Sequence, residues 1–207
     1  MTETLAYDVE SKEDNFEIRK YADYILAQVD IDASFDDAVR KGFMILAGYI
    51  FGGNRKRSKI AMTAPVVEEE MSEKIEMTAP VTTETVSTSE KIDMTTPVTE
   101  EKTEANFQRI SFAMPSKYTM DTLPEPNDKR IHFKEFKNQK TAVLRFKGRV
   151  KEKLATEKTE ELKKWLSKKQ IKPKSHFMVA QYNHPAVPGF LRRNEIIVKI
   201  KKIELIF

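Results

Sequence analysis

The chain has 207 residues, 40% of them hydrophobic and 33% charged, with a net charge of +4 and no cysteine. That length suits a single domain with a substantial core, and the missing cysteine excludes a disulfide framework, a thiolate metal site and a cysteine nucleophile. No run approaches the roughly 18–20 apolar residues that span a bilayer. The start M-T-E-T-L-A-Y-D-V-E has no basic region leading into an apolar stretch, so the expected setting is soluble and cytoplasmic. Charge is unevenly spread. Residues 67–106 hold eleven acidic residues and three lysines, a net of −8, which leaves +12 for the rest. The remaining lysines are scattered and no nucleic-acid motif accompanies them, so nucleic acid is not an expected partner.

In chain order, residues 16–31 read as two strands around a turn at Ala22-Asp23, with Phe16, Ile18 and Lys20 alternating against Glu17 and Arg19, and Ile25, Ala27, Val29 and Ile31 on one face of the second strand. Phe35, Val39, Phe43, Leu46, Ala47 and Ile50 recur at helical spacing and Gly52-Gly53-Asn54 ends the run, predicting a helix over 35–51. Ser34 with Asp37 resembles a capping box at its start. A basic loop over 54–58 leads to the first of three near-identical octapeptides: K-I-A-M-T-A-P-V (59–66), K-I-E-M-T-A-P-V (74–81) and K-I-D-M-T-T-P-V (91–98). Each suits a short strand that ends or bulges at its proline. Outside the copies, residues 67–106 read as solvated loop, an acidic repeat-containing insertion within the domain 1–207.

Strand character returns at 107–114, and again as a pair at 131–136 and 141–147. A second helix is predicted over 150–169, with Leu154, Leu162, Trp165 and Leu166 inward, then strands at 176–182 and 195–203 around the loop N-H-P-A-V-P-G. The chain is therefore strand-strand-helix-strand-strand written twice. That duplication predicts an α+β fold: a pseudo-two-fold distorted antiparallel β-barrel of two β-β-α-β-β halves with two helices.

Catalytic signals are sparse. His132, His176 and His184 lack metal-ligand spacing, and there is no phosphate-binding glycine loop and no G-x-S-x-G elbow. No carboxylate sits in a context that suggests a raised pKa. Glu195 is the one to watch, with a salt bridge or loop anchor as its ordinary reading. Met44 on the first helix, with Met62, Met77 and Met94 in the repeats, suits either core filling or a soft apolar surface.

F-E-I-R-K-Y (16–21), G-Y-I-F-G-G-N…K-I-A-M-T-A-P-V (48–66), M-P-S-K-Y-T-M-D-T-L-P-E-P-N-D (114–128) and Q-Y-N-H-P…R-R-N-E-I (181–196) together resemble the SOUL haem-binding family. The resemblance implies the same two-half barrel, related to gyrase-inhibitor-like domains, and binding of haem or another flat tetrapyrrole in a cleft between the first helix and the loop before the last strand. On this sequence the implied contacts are Arg40 for a propionate, Phe43, Met44 and Ala47 on the helix, and Tyr182, His184 and Val187 in the loop. The position of a proposed axial histidine is about Ser11, which cannot serve, and His184 could substitute.

Three functions follow as expectations. The leading one is a non-catalytic haem or tetrapyrrole carrier or buffer, monomeric, so that the chain is not expected to be an enzyme. The second is a gyrase-inhibitor-like hydrolase or lyase using Glu195 or Tyr182. The third is an interaction module using the acidic segment. The first octapeptide is expected in the barrel, with the second and third in a protruding acidic segment.

Overall fold

The computed structural model describes residues 4–55, 92, 95–102, 107–183 and 186–201. Its elements are β1 (Tyr7–Glu13), β2 (Phe16–Tyr21), β3 (Tyr24–Ile31), α1 (Phe35–Ile50), β4 (Asn54–Arg55), β5 (Thr95–Lys102), β6 (Gln108–Ala113), β7 (Glu125–Pro126), β8 (His132–Phe136), β9 (Lys140–Lys147), α2 (Glu152–Lys168), β10 (Met178–Gln181), a 3₁₀ turn (Gly189–Leu191) and β11 (Arg193–Lys199).

Nine strands form one sheet in the order β1-β2-β9-β11-β10-β5-β6-β3-β8, and every pairing is antiparallel. Exchanging β2 with β8, β3 with β9, β5 with β10 and β6 with β11 maps this order onto its own reverse, with β1 as the odd strand at one end. The pseudo-dyad passes between β5 and β10, as the duplicated sequence predicts. Each half also lends a strand to the other, because β2 pairs with β9 and β3 with β8. The sheet curls into an open half-barrel: Lys199 of β11 lies 3.8 Å from the ring of Phe136 on β8, although four strands separate them in the order.

The helices pack on one face of the sheet. Alternation places Ile25, Ala27, Val29 and Ile31 of β3, with Ile110 and Phe112 of β6, beneath α1. Ala142, Leu144, Phe146, Ile196 and Val198 lie beneath α2. The other face is buried too, so residues that alternate with the helix-facing ones are not solvated. Glu17 and Arg19, which the sequence pattern sets opposite the apolar side of β2, are both buried. They lie inside the curl.

Three local expectations are corrected. Ser34 is the N-cap of α1 but makes no side-chain cap. Its Oγ donates instead to Asp37 Oδ2 at 3.2 Å, and that shorter acid holds Arg40, so no capping box forms. The N-terminal segment forms β1, a strand the sequence pattern did not signal because its residues past Tyr7 are exposed. The third octapeptide enters the barrel rather than protruding. Its Ile92 is buried in the α1 core and donates its amide to Ile50 O at 2.7 Å, and its last four residues open β5, which pairs with both β6 and β10. The first and second copies lie outside the described residues, as does the acidic segment up to 91.

Candidate functional site

The β5–β10 seam at the pseudo-dyad carries a groove of about 560 Å³, bounded by Phe35 at the start of α1, by Glu152, Ala155 and Thr159 of α2, and by Phe177, Val179 and Glu100 below. Glu100 lies at its base because β5 pairs it with Val179 on one side and Ile110 on the other, both of which face the helices. It is 4% exposed. Among the described residues neither carboxyl oxygen has a hydrogen-bond partner. Burial raises its pKa, and Asp36 and Glu152 add to the effect, to about 8. Glu100 is therefore mostly protonated at neutral pH, and it lines a partly apolar groove. His176 also lines the groove and places Nδ1 3.3 Å from Glu101. This overturns the expectation that no carboxylate has a raised pKa. The cause was hidden in sequence, since V-T-E-E-K looks solvated until β5 is paired on both sides.

Glu195 and Tyr182 come together on the opposite face of the sheet. The Tyr182 hydroxyl donates to Glu195 Oε2 at 2.6 Å. Arg19, fully buried, donates to both oxygens of Glu195 at 2.8 and 2.9 Å and through Nε to Glu17 at 2.8 Å. Arg193 adds Nη2 to Glu195 Oε1 at 2.7 Å. Burial alone would raise the pKa of Glu195, but the hydrogen bonds and charge of Arg19, with Tyr182 and Arg193, outweigh it and hold the carboxylate below its ordinary range. Tyr182 is pushed well above 10, first by burial. The guanidiniums of Arg19 and Arg193 stack over the rings of Tyr7 and Tyr182 at 4.1 and 4.3 Å. The watched carboxylate thus has the geometry of a salt bridge, its lone pairs already engaged.

The residues implied for tetrapyrrole binding fall into two groups. On α1, Arg40 is exposed and pairs with Asp37 at 3.2 Å, Phe43 meets the Phe112 ring edge-on at 5.3 Å, and Ala47 is buried in the core. Met44 is 66% exposed, and one turn on, a Cβ at Gly48 would meet nothing within 4 Å. This outer stripe offers an apolar contact and a cation but no histidine. In the later loop, Tyr182 faces away from the helices, the Val187 carbonyl accepts from Arg192 Nε at 2.7 Å, and His184 lies outside the described residues. Ser11 is an exposed β1 residue. Among the described residues no group of three or more His, Asp or Glu is placed to hold a metal ion, and no helix is long and apolar enough to cross a membrane.

Solved structures share this architecture at low identity. The C-terminal domain of EcmrR superposes with a TM-score of 0.59 at 10% identity, covering 96% of this chain and all of that one. A hydrolase from Listeria innocua gives 0.51 at 8% identity, covering 93% of this chain and 94% of its own. A second hydrolase structure from that organism gives 0.54 at 9%, with the same coverage. The expectation that the chain is not an enzyme is corrected on this point, because hydrolases occur on this fold. No curated protein matches the chain. The family model of the SOUL heme-binding proteins matches residues 2–72 and 67–199, and with the two-half barrel in place the chain belongs to that family.

Proposed function

We propose that this protein binds a small, largely apolar molecule in the groove over the β5–β10 seam and acts on it as a hydrolase or lyase, with Glu100 as the proton-transfer group. One observation carries the reading: a carboxyl 4% exposed, with neither oxygen partnered, at the base of a groove of about 560 Å³. Leaving a buried polar group unsatisfied costs roughly 1–3 kcal/mol, which a structural role does not offset. A carboxyl kept protonated by burial can give its proton to a leaving group or carbonyl oxygen at neutral pH and take it back afterwards. The occurrence of hydrolases on this fold admits such chemistry without assigning it. Turnover of a panel of chromogenic esters, glycosides and epoxides by wild type and Glu100→Gln tests the reading. The variant should lose about 10²-fold or more. Absence of turnover across the panel, or equal rates in the two proteins, overturns it.

A second reading follows from family membership, that the ligand is a tetrapyrrole held against the outer stripe of α1. The observation favouring it is the exposed Met44 beside the open surface at Gly48, with the Arg40 guanidinium one turn before. Arg40 would pair with a propionate and Met44 would contact the ring plane. Haemin titration followed at the Soret band should show saturable binding that weakens in Arg40→Ala and Met44→Ala. No band shift in the wild type removes this reading and leaves the first intact.

A further inference from the structure

We propose that the inner face of the half-barrel, where β2, β9 and β11 end together, binds a small oxyanion, a phosphate or carboxylate group, between Arg145, Lys147 and Arg193. Alternation turns Leu144 and Phe146 of β9 toward α2, so Arg145 and Lys147 face the other way, with Arg193 and Glu195 of β11 beside them. The register sets Glu195 against Arg145 but Arg193 directly against Lys147. Like charges facing each other across two strands are destabilising; Glu195 offsets Arg193, and among the described residues no ion pair offsets Lys147. Charge does not balance in the wider cluster either. Two carboxylates, Glu17 and Glu195, are shared by Lys12, Arg19, Arg145 and Arg193, and Lys147 adds a further cation.

Donors remain available. Arg193 gives Nε and Nη2 to Glu195, with Nη2 also reaching the Tyr7 hydroxyl, and Arg145 gives Nη1 to Glu17 at 3.3 Å. Neither use consumes Nη1 of Arg193 or Nη2 of Arg145. Both arginines open onto a pocket of about 410 Å³, whose other lining residues are Asn15, Phe146, Lys147 and Leu191. Asn15 sits in the exposed turn between β1 and β2 and can add an amide donor. Asp14, its neighbour, does not line the pocket. Leu191, more than half exposed, gives the mouth an apolar lip, so the anion can carry a small apolar group. An oxyanion seated here would take charge-assisted bonds from two guanidiniums at once and remove the repulsion between Arg193 and Lys147.

The test titrates the full chain with inorganic phosphate and, separately, with acetate at low ionic strength, with chloride as the control. Amide shifts around Lys147 and Arg193 and the thermal midpoint are followed together. A saturable response to either anion, with a raised midpoint, is expected; phosphate alone assigns a phosphate site, acetate alone a carboxylate site, and both a general oxyanion site. Lys147→Glu places an opposite charge across from Arg193, so it should raise the ligand-free midpoint and weaken binding by 10-fold or more, an order of magnitude for a lost charge-assisted contact. Lys147→Gln should weaken binding several-fold and serves if the Glu variant does not fold. Lys163→Gln, on α2 at the other face, should bind like wild type. The proposal is overturned by a response no larger or more saturable than that of chloride, or by one unchanged in both Lys147 variants.

Discussion

Arg19 is the residue on which the interior of the half-barrel depends. Its guanidinium holds two buried carboxylates and stacks on Tyr7, so truncating it leaves Glu17 and Glu195 buried with fewer partners. We expect Arg19→Ala to cost about 3–5 kcal/mol, read as a lowered urea midpoint, whereas Tyr182→Phe, which removes one of several bonds to Glu195, should cost about 1–2 kcal/mol. Equal effects of the two would show that the charge network is not the anchor. Sequence pattern could not reach this arrangement. In F-E-I-R-K-Y the alternation of apolar and charged residues reads as inside and outside, but β2 has two interiors, one under α2 and one within the curl. The pairing of Glu195 with an arginine 176 positions away leaves no local trace.

Glu100 has a consequence at the same scale, in the pH dependence of stability. Its carboxyl releases the proton at an ordinary 4.5 in the unfolded chain and at about 8 when folded. Between those values the folded protein holds the extra proton, so the stability attached to Glu100 is complete below 4.5 and is lost as pH rises toward 8. The shift corresponds to a few kcal/mol at most, on the order of 1.4 kcal/mol per unit. Glu195 and Glu17, held below their ordinary range by Arg19 against the pull of burial, act in the opposite sense. They stabilise above the unfolded value near 4.5 and lose that contribution as acid protonates them. Glu100→Gln should therefore flatten the alkaline side of the midpoint-against-pH curve and leave the acid side unchanged. A wild-type curve already flat from 4.5 to 8 would exclude a raised Glu100.

At the scale of elements, α1 was legible nearly to the residue, because its apolar positions recur over four turns and Gly52-Gly53 ends them. Its seating was not. A Cβ at Gly42 would lie 2.4 Å from Ile110 Cγ1, so the helix approaches β6 as closely as a glycine allows. Gly42→Ala gains helix propensity of about 1 kcal/mol and should nonetheless destabilise, by about 1–3 kcal/mol, because Ile110 sits in a packed core with little room to move. Gly48→Ala, on the open side of the same helix, should stabilise by about 0.5–1 kcal/mol. The pair, compared by chemical denaturation, separates seating from propensity within one element. The place of the third octapeptide in the sheet was not legible for a related reason. Three near-identical strings have the same local propensity, and what seats the third in the sheet is tertiary: Ile92 reaches the carbonyl at the end of α1, and β5 runs directly back into β6.

For the whole molecule, the consequence of duplication is interdependence rather than independence. The halves are similar in element order, but β2 completes its pairing on β9 and β3 on β8, so neither half can satisfy its backbone alone. The single tryptophan reports on this directly. Trp165 on α2 stacks on Phe16 of β2 at 5.0 Å with the rings 5° from parallel, which joins the second half's helix to the first half's strand. If the strand exchange controls folding, Trp165 fluorescence, far-UV circular dichroism and near-UV tyrosine signals should fall on one urea transition with a common midpoint and slope. Phe16→Ala should shift all three together by about 3–5 kcal/mol if that ring behaves as a core aromatic, and by less to the extent that its partial exposure already admits water. A fluorescence transition at lower urea than the dichroism, in wild type or variant, would mean that the halves hold together by the β5–β10 seam alone. The groove over that seam could then open without unfolding the sheets, and ligand binding at Glu100 would move only the second transition.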